Sequence, residues 1–341
     1  IGYKALEAQN FTTATDAYNV AMGHFAGGSL TTGIVSTFIG GLAGDAITTA
    51  NNNVAVGYRA LTTETSGANC TAIGTNALAT QNVAGGTNVA NTAVGYDAGT
   101  AVTSGVQNVF VGAYAGDGTQ TGTQNVAVGQ EALSAVAGNT NTAVGTFSLN
   151  VCTGSDNTAV GMLAGGSLTS GSNCLFVGHD AGRTGSPGGN HTTSNNALVL
   201  GDENIAAAHI QVDWTVASDQ RDKTDFTALD VGLDFVNALK PVTYKWDKRS
   251  KYGDKTADDY DLNNITTDGT HKEDWLDIGF KAQEVEAIEK AAGYKIADKT
   301  NLTTSLTGDG KQYGIQYAKF VPILVKAIQE LTARIKTLED G

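Results

Sequence analysis

An apolar residue followed by glycine recurs twelve times in the first two hundred residues, at Gly2, Gly23, Gly40, Gly57, Gly74, Gly95, Gly112, Gly129, Gly145, Gly161, Gly178 and Gly201. Successive spacings are 21, 17, 17, 17, 21, 17, 17, 16, 16, 17 and 23 residues. A period this regular predicts one supersecondary unit stacked on itself rather than a single globular core. Twelve rungs at roughly 4.8 Å each would build a rod of about 55–60 Å.

Within each unit the residue before the glycine is apolar, and two before it, in the units from Gly23 to Gly178, stands Ala or, at Phe38, Phe110 and Phe176, Phe. Such a run reads as a short strand with apolar side chains on both faces, and the expectation is that both faces are buried. Three residues after the glycine stands Ala in ten of the first eleven units, with Ser148 the exception, followed by Leu or Gly. This second segment reads as a second strand, so each rung is expected to be a flattened coil of two. With so few large side chains a single coil buries little, and association with identical neighbours is expected. Cys70, Cys152 and Cys174 are an odd, scattered set. Cys70 and Cys174 share one repeat position six units apart, on the order of 30 Å, beyond disulfide reach, and read as small buried side chains.

Composition breaks near residue 217. Before it stand three basic residues (Lys4, Arg59 and Arg183) and twelve acidic ones; after it stand 18 basic and 22 acidic. Two regions built on different rules meet there. Neither carries a basic stripe, which argues against nucleic acid or an anionic membrane surface as partner. No apolar run is long enough to insert in a bilayer. Ile1 is not an initiator methionine and the sequence opens inside a repeat, so a preceding N-terminal region is expected.

Beyond the last repeat come His209-Ile-Gln-Val-Asp-Trp214 and Ser218-Asp-Gln-Arg-Asp-Lys223. Residues 229–239 read as a short helix ended by Pro241, 242–246 as a strand, and 281–292 as a helix closed by Gly293. The chain ends in a helix of heptad spacing over about 317–339, with Val321, Ile328 and Ile335 at one seam position and Leu324, Leu331 and Leu338 at the other. β-Branched residues alternating with Leu in this way favour two strands, whereas the resemblance described next implies three.

The repeats resemble the left-handed parallel β-roll heads of trimeric autotransporter adhesins, and more closely the variants found in phage tail fibres. The ordered set Ser-Asp-x-Arg-x-Lys, Leu-Lys-Pro-Val-x-Tyr, Gly-Phe-x-Ala-Gln-Glu and Ala-Ile-x-Glu-Leu resembles the C-terminal intramolecular chaperone and auto-processing domain of phage tail spikes and fibres, a domain type also known from endosialidases. The resemblance implies a mainly β solenoid, homotrimeric, followed by a small α+β chaperone domain ending in a coiled coil. The implied division is a β-roll over 1–205, a connector over 206–217 and the chaperone over 218–341. It further implies a Ser–Lys self-cleaving dyad, with Ser218 the nucleophile and Lys223 the base. The bond cut would be Ala217–Ser218 or the one after Ser218. A serine hydroxyl needs a base, and a lysine serves only when burial or nearby positive charge lowers its pKa. Five residues apart on a helix are about 140° apart around the axis, so the pair needs a turn or a contact across subunits.

Other constellations carry less. Tyr3, Tyr58 and Tyr96 directly follow repeat glycines and could line up as a sparse aromatic column, for packing or for sugar. The long intervals after Gly2, Gly74 and Gly178 must bulge from the stack, the last carrying Arg183-Thr-Gly-Ser-Pro-Gly-Gly-Asn-His191. His24, His179, His191, His209 and His271 have no metal-ligand spacing, and no metal or cofactor is expected. Asp254, Asp258, Asp259 and Asp261 read as a solvated loop, and no glycosidase pair of carboxylates stands out. The expected function is the distal part of a homotrimeric phage tail fibre that attaches to a host-surface receptor, a glycan or outer-membrane component, in the virion. Its only enzymology would be one self-cleavage per chain. The alternative is a bacterial surface adhesin that keeps its chaperone; a polysaccharide depolymerase is disfavoured.

Overall fold

A computed structural model of the chain describes residues 1–85, 88–211, 214–255, 257 and 259–341. It divides into two compact units, Ile1–Asp202 and Glu203–Gly341.

The first unit is a parallel β-solenoid. Eleven three-residue strands, from β1 (Val20–Met22) to β11 (Leu198–Leu200), pair in chain order into one sheet. Intervals of 16, 17, 21 and 23 residues all pair the same repeat position, as in Thr142↔Thr158, Thr158↔Leu175, Thr71↔Thr92 and Leu175↔Leu198. Gly2 adds a turn to the stack, its rung held by Gly23 N donating to Ile1 O at 2.8 Å.

Each rung has one strand, not the expected two. After the glycine the chain alternates in handedness, with left-handed residues at the second and fourth positions, as at Arg59 (φ 58°) and Leu61 (φ 55°). Arg59 N donates to Gly41 O of the rung on one side at 3.0 Å, and Leu61 N to Ala77 O of the rung on the other at 3.0 Å. The segment thus makes ladder bonds in both directions without being a strand. Left-handed backbone costs a residue with a Cβ roughly 1–2 kcal/mol, so a rung is held by its neighbours rather than by itself. The repeat glycines meet a second constraint: a Cβ on Gly74 (φ +135°) would lie 2.2 Å from Gly95 O.

The strand face is a further correction. Only the central residue of each strand points into the solenoid, Phe38, Ala55, Phe110 and Phe176 being fully buried. The flanking residues face outward, and Val20, Met22, Ile73, Val111, Val160, Val177, Leu198 and Leu200 are exposed. Inside, volumes compensate. Phe38 lies against Gly27 and Gly44, Phe110 against Gly99 and Gly116, and Phe176 against Gly165 and Gly182, where a Cβ would come within 2.3–2.9 Å of the ring. Where the central residue is Ala, as at Ala55, Ala72, Ala127 and Ala143, buried Leu61, Leu78, Leu133 and Leu149 fill the space. One volume is filled in two ways, keeping the core at native density.

A polar column runs through the same interior. Four residues before the glycine, Asn53, Asn91, Asn108, Asn125, Asn141 and Asn157 are fully buried. Each amide oxygen accepts from the backbone N–H of the next rung: Asn108 N to Asn91 at 2.8 Å, Asn141 N to Asn125 at 2.9 Å, Asn157 N to Asn141 at 3.0 Å. Each amide nitrogen donates to a glycine carbonyl, among them Gly105, Gly122 and Gly154 at 2.7–2.9 Å. Cys70 and Cys174 occupy this column; both are buried and free, as is Cys152.

The second unit is α+β. Helices α1 (Leu233–Ala238), α2 (Ala282–Ala291) and α3 (Phe320–Glu339) accompany two antiparallel pairs, β12 (Val242–Tyr244) with β13 (Asp277–Gly279), and β14 (Thr304–Leu306) with β15 (Tyr313–Ile315). Its core joins Val231, Phe235, Val285, Phe320 and Ile323. Motif residues find structural reasons here. Gly279 leaves room for the Tyr317 hydroxyl, which a Cβ would approach to 2.2 Å, and Phe280 stacks on the Tyr317 ring. Glu330 accepts from Leu233 N at 2.8 Å, capping α1 from α3, and Gly232 makes room for that carboxylate. Buried Glu289 accepts from Thr303 N and both Thr303 and Thr304 hydroxyls at 2.6 Å, tying β14 to α2.

Candidate self-processing site and assembly surface

Ser218 and Lys223 are brought together by a turn. A short 3-10 segment, Gln220–Asp222, is capped by Asp219, whose carboxylate accepts from Arg221 N at 2.9 Å. The turn carries Lys223 back, so that its Nζ donates to Ser218 Oγ at 2.5 Å and to Ser218 O at 3.3 Å. Of the two solutions the spacing allowed, a turn within one chain is realised. Arg221 grips Asp219 through Nε at 3.1 Å and a terminal nitrogen at 2.6 Å, holding that carboxyl below the usual range.

Among the described residues nothing covers the pair. Ser218, Lys223 and every other described residue from 204 to 228 are exposed, and Ala217 lies in the same extended stretch. Of the expected run His209–Trp214, Val212 and Asp213 lie outside the described residues. A lysine acting as base requires burial or neighbouring positive charge, and an oxyanion requires donors already in place. The geometry supplies a nucleophile within reach of an amine, and any covering wall must come from elsewhere.

The last helix carries two apolar faces. Phe320, Ile323 and Ala327 are buried in the unit's core, while Val321, Leu324, Ile328, Leu331, Ile335 and Leu338 are exposed. The heptad seam read from the sequence is thus a face distinct from the one the fold covers. Together with the outward strand residues of the solenoid, it leaves apolar surface in both units without a partner in the single chain.

Other expected positions scatter. Tyr3 stacks on His24 at 5.5 Å, and Tyr96 meets Tyr114 edge-on at 5.3 Å. Gly41 and Thr75 occupy that position in the rungs on either side of Tyr58, so the tyrosines form no continuous column. The excursion at 183–190 is closed by His191 N donating to Gly182 O at 2.9 Å. Asp258 lies outside the described residues, and Asp261 pairs with Lys311 at 3.1 Å. The structure also makes a grouping that sequence spacing missed: His179, Asp180 and Asp202 place ligand atoms within 4.8 Å of one another. His179 and Asp180 adjoin in sequence, and the stacking of successive rungs brings Asp202 to them. Arg183 already pairs with Asp180 at 2.7 Å and would compete with any cation.

Residues 218–294 match the family described as chaperone of endosialidase. The match opens on Ser218 and takes in α1, β12, β13 and α2. No curated protein and no solved structure matches the chain. A parallel β-solenoid followed by an endosialidase-type chaperone domain fits a protein of the tail-fibre or tail-spike type.

Proposed function

We propose that this chain is the distal part of a homotrimeric bacteriophage tail fibre. Its left-handed solenoid serves as shaft or host-contacting segment, and residues 218–341 drive trimerisation and then release themselves by cutting next to Ser218. The observation that carries the reading is the second apolar face of α3. A helix that buries one stripe in its own unit and presents a full heptad seam to water is built to meet copies of itself. The exposed strand residues of the solenoid fit the same requirement. Ser218 would attack the carbonyl carbon of Ala217 as Lys223 takes its proton; that proton passes to the departing Ser218 amide nitrogen, leaving an ester that water hydrolyses. Burial of the dyad by a neighbouring subunit would make cleavage follow assembly.

The test compares wild type with Ser218→Ala and Lys223→Ala by denaturing gel, intact mass and light scattering. A trimeric wild type cut beside Ser218, with both variants trimeric and uncut, is the expected result. A wild-type monomer would overturn the assembly reading. A trimer that stays whole would leave a retained C-terminal domain and remove the self-processing role.

A further inference from the structure

A groove in the C-terminal unit has a shape and charge that call for a specific side chain. It has a volume of about 250 Å³ and lies between the end of α1 and α2. Ala238, Phe280, Val285, Ala287 and Ile288 give it apolar lining, and Lys240, Lys281 and Glu284 supply its charged groups. Lys281 pairs with Glu284 at 3.0 Å, whereas Lys240 makes no ion pair among the described residues. An apolar cavity of about 150 Å³ is enough to hold a benzene ring, so one aromatic side chain fits with room for its flanking backbone.

A matching side chain lies on the exposed segment. Phe226 is 67% exposed although it stands three residues before Leu229, which packs on the unit's core. Before it comes Asp225, held in the left-handed region at φ 54° and without an ion pair among the described residues. An acidic residue followed by an exposed aromatic ring complements an apolar slot with an unpaired lysine at its lip. In its own chain Phe226 does not occupy that slot.

We propose that Phe226 of one copy seats in the 238–288 groove of a second copy, with Asp225 meeting Lys240. The proposal rests on the assembly reading above and specifies how the dyad would be covered. Ser218 and Lys223 lie eight and three residues before Phe226, so seating the ring would bring the scissile segment onto a neighbour's surface. Phe226 and Lys240 are then positioning residues for self-cleavage rather than catalytic ones. An aromatic anchor in a desolvated pocket is the kind of contact that dominates an interface.

The test places cysteines at Thr227→Cys and Ala287→Cys in the full chain and treats native protein with a short bifunctional thiol crosslinker. Light scattering of the same sample reports its assembly. Linked species of two or three chains are expected, falling about tenfold or more when Phe226→Ala is added. Lys240→Glu should lower the yield, and Asp225→Lys beside it should restore it. Links confined to a single chain would overturn the proposal by returning Phe226 to its own groove. An unlinked trimer would overturn the pairing and leave the assembly reading intact. A monomer would overturn both.

Discussion

The buried asparagine column gives the sharpest test of how the solenoid is held. Replacing Asn141 by Ala removes an amide whose nitrogen donates to Gly154 O at 2.9 Å and whose oxygen accepts from Asn157 N at 3.0 Å. Asn141 N keeps its bond to Asn125, and the Gly154 carbonyl still accepts from Gly138 N at 3.2 Å, so the group left unmet is the Asn157 N–H. A buried group left unmet costs about 1–3 kcal/mol, so the substitution should destabilise by roughly that amount. Asn141→Ser should cost less, because Ser36 fills this position in its own rung and its hydroxyl accepts from Asn53 N at 3.2 Å. Because repeat arrays unfold in parts, the assay is amide hydrogen exchange at Asn157, supported by the urea midpoint. Exchange at Asn157 unchanged in Asn141→Ala, or a Ser variant as damaged as the Ala variant, would refute the reasoning.

Three further outcomes follow from the same structure. Burial, with Glu131 and Asp97 nearby, pushes the Asp117 carboxyl up to about 6. An acid raised in the folded state opposes stability above that pH, so solenoid stability should fall as pH rises from 4 toward 6, and Asp117→Asn should flatten that part of the urea-midpoint profile. Burial raises the Glu289 carboxyl, but bonds from the side chains and backbones of Thr303 and Thr304 outweigh it, and the net shift is downward. Its contribution is therefore present above the ordinary glutamate range and lost as pH falls below it; Glu289→Ala should release β14 and β15, read as faster exchange at Thr303 and Thr304 with α3 intact. Gly112→Ala places a Cβ 2.6 Å from Gly129 O at φ +134°, and a loss of about 3 kcal/mol or more is expected by chemical denaturation, where an exposed Thr153→Ala should cost under about 1 kcal/mol.

The repeat, its register and the heptad seam were legible in the sequence because each is a periodicity, and periodicity survives without coordinates. The helix around 281–292 and its stop at Gly293 were legible for the same reason, α2 ending at Ala291 with Gly293 at φ +94°. The second strand of the rung was not, because left-handed Leu61 and Leu78 are ordinary strand formers by composition, and they belong to a segment whose ladder bonds alternate between the two neighbouring rungs. The open strand face was misread because Val and Thr look alike in sequence on a covered face and on an open one. The linkage of Phe38, Phe110 and Phe176 to paired glycines was present as letters, yet only stacking reveals that those residues share one volume. At the site, the spacing of Ser218 and Lys223 left a turn or a subunit contact open, and the Asp219 cap decided for the turn.

The common register of short and long rungs has a consequence for how such a chain changes over time. Pairing ignores what happens between the left-handed segment and the next asparagine position, so the 23-residue interval pairs as the 16-residue one does. An in-frame duplication or deletion of one repeat therefore keeps the backbone ladder, and where each buried Phe still meets glycine in its own and the preceding rung, length can change one rung, about 4.8 Å, at a time. Loop content and solenoid length can therefore vary independently of one another.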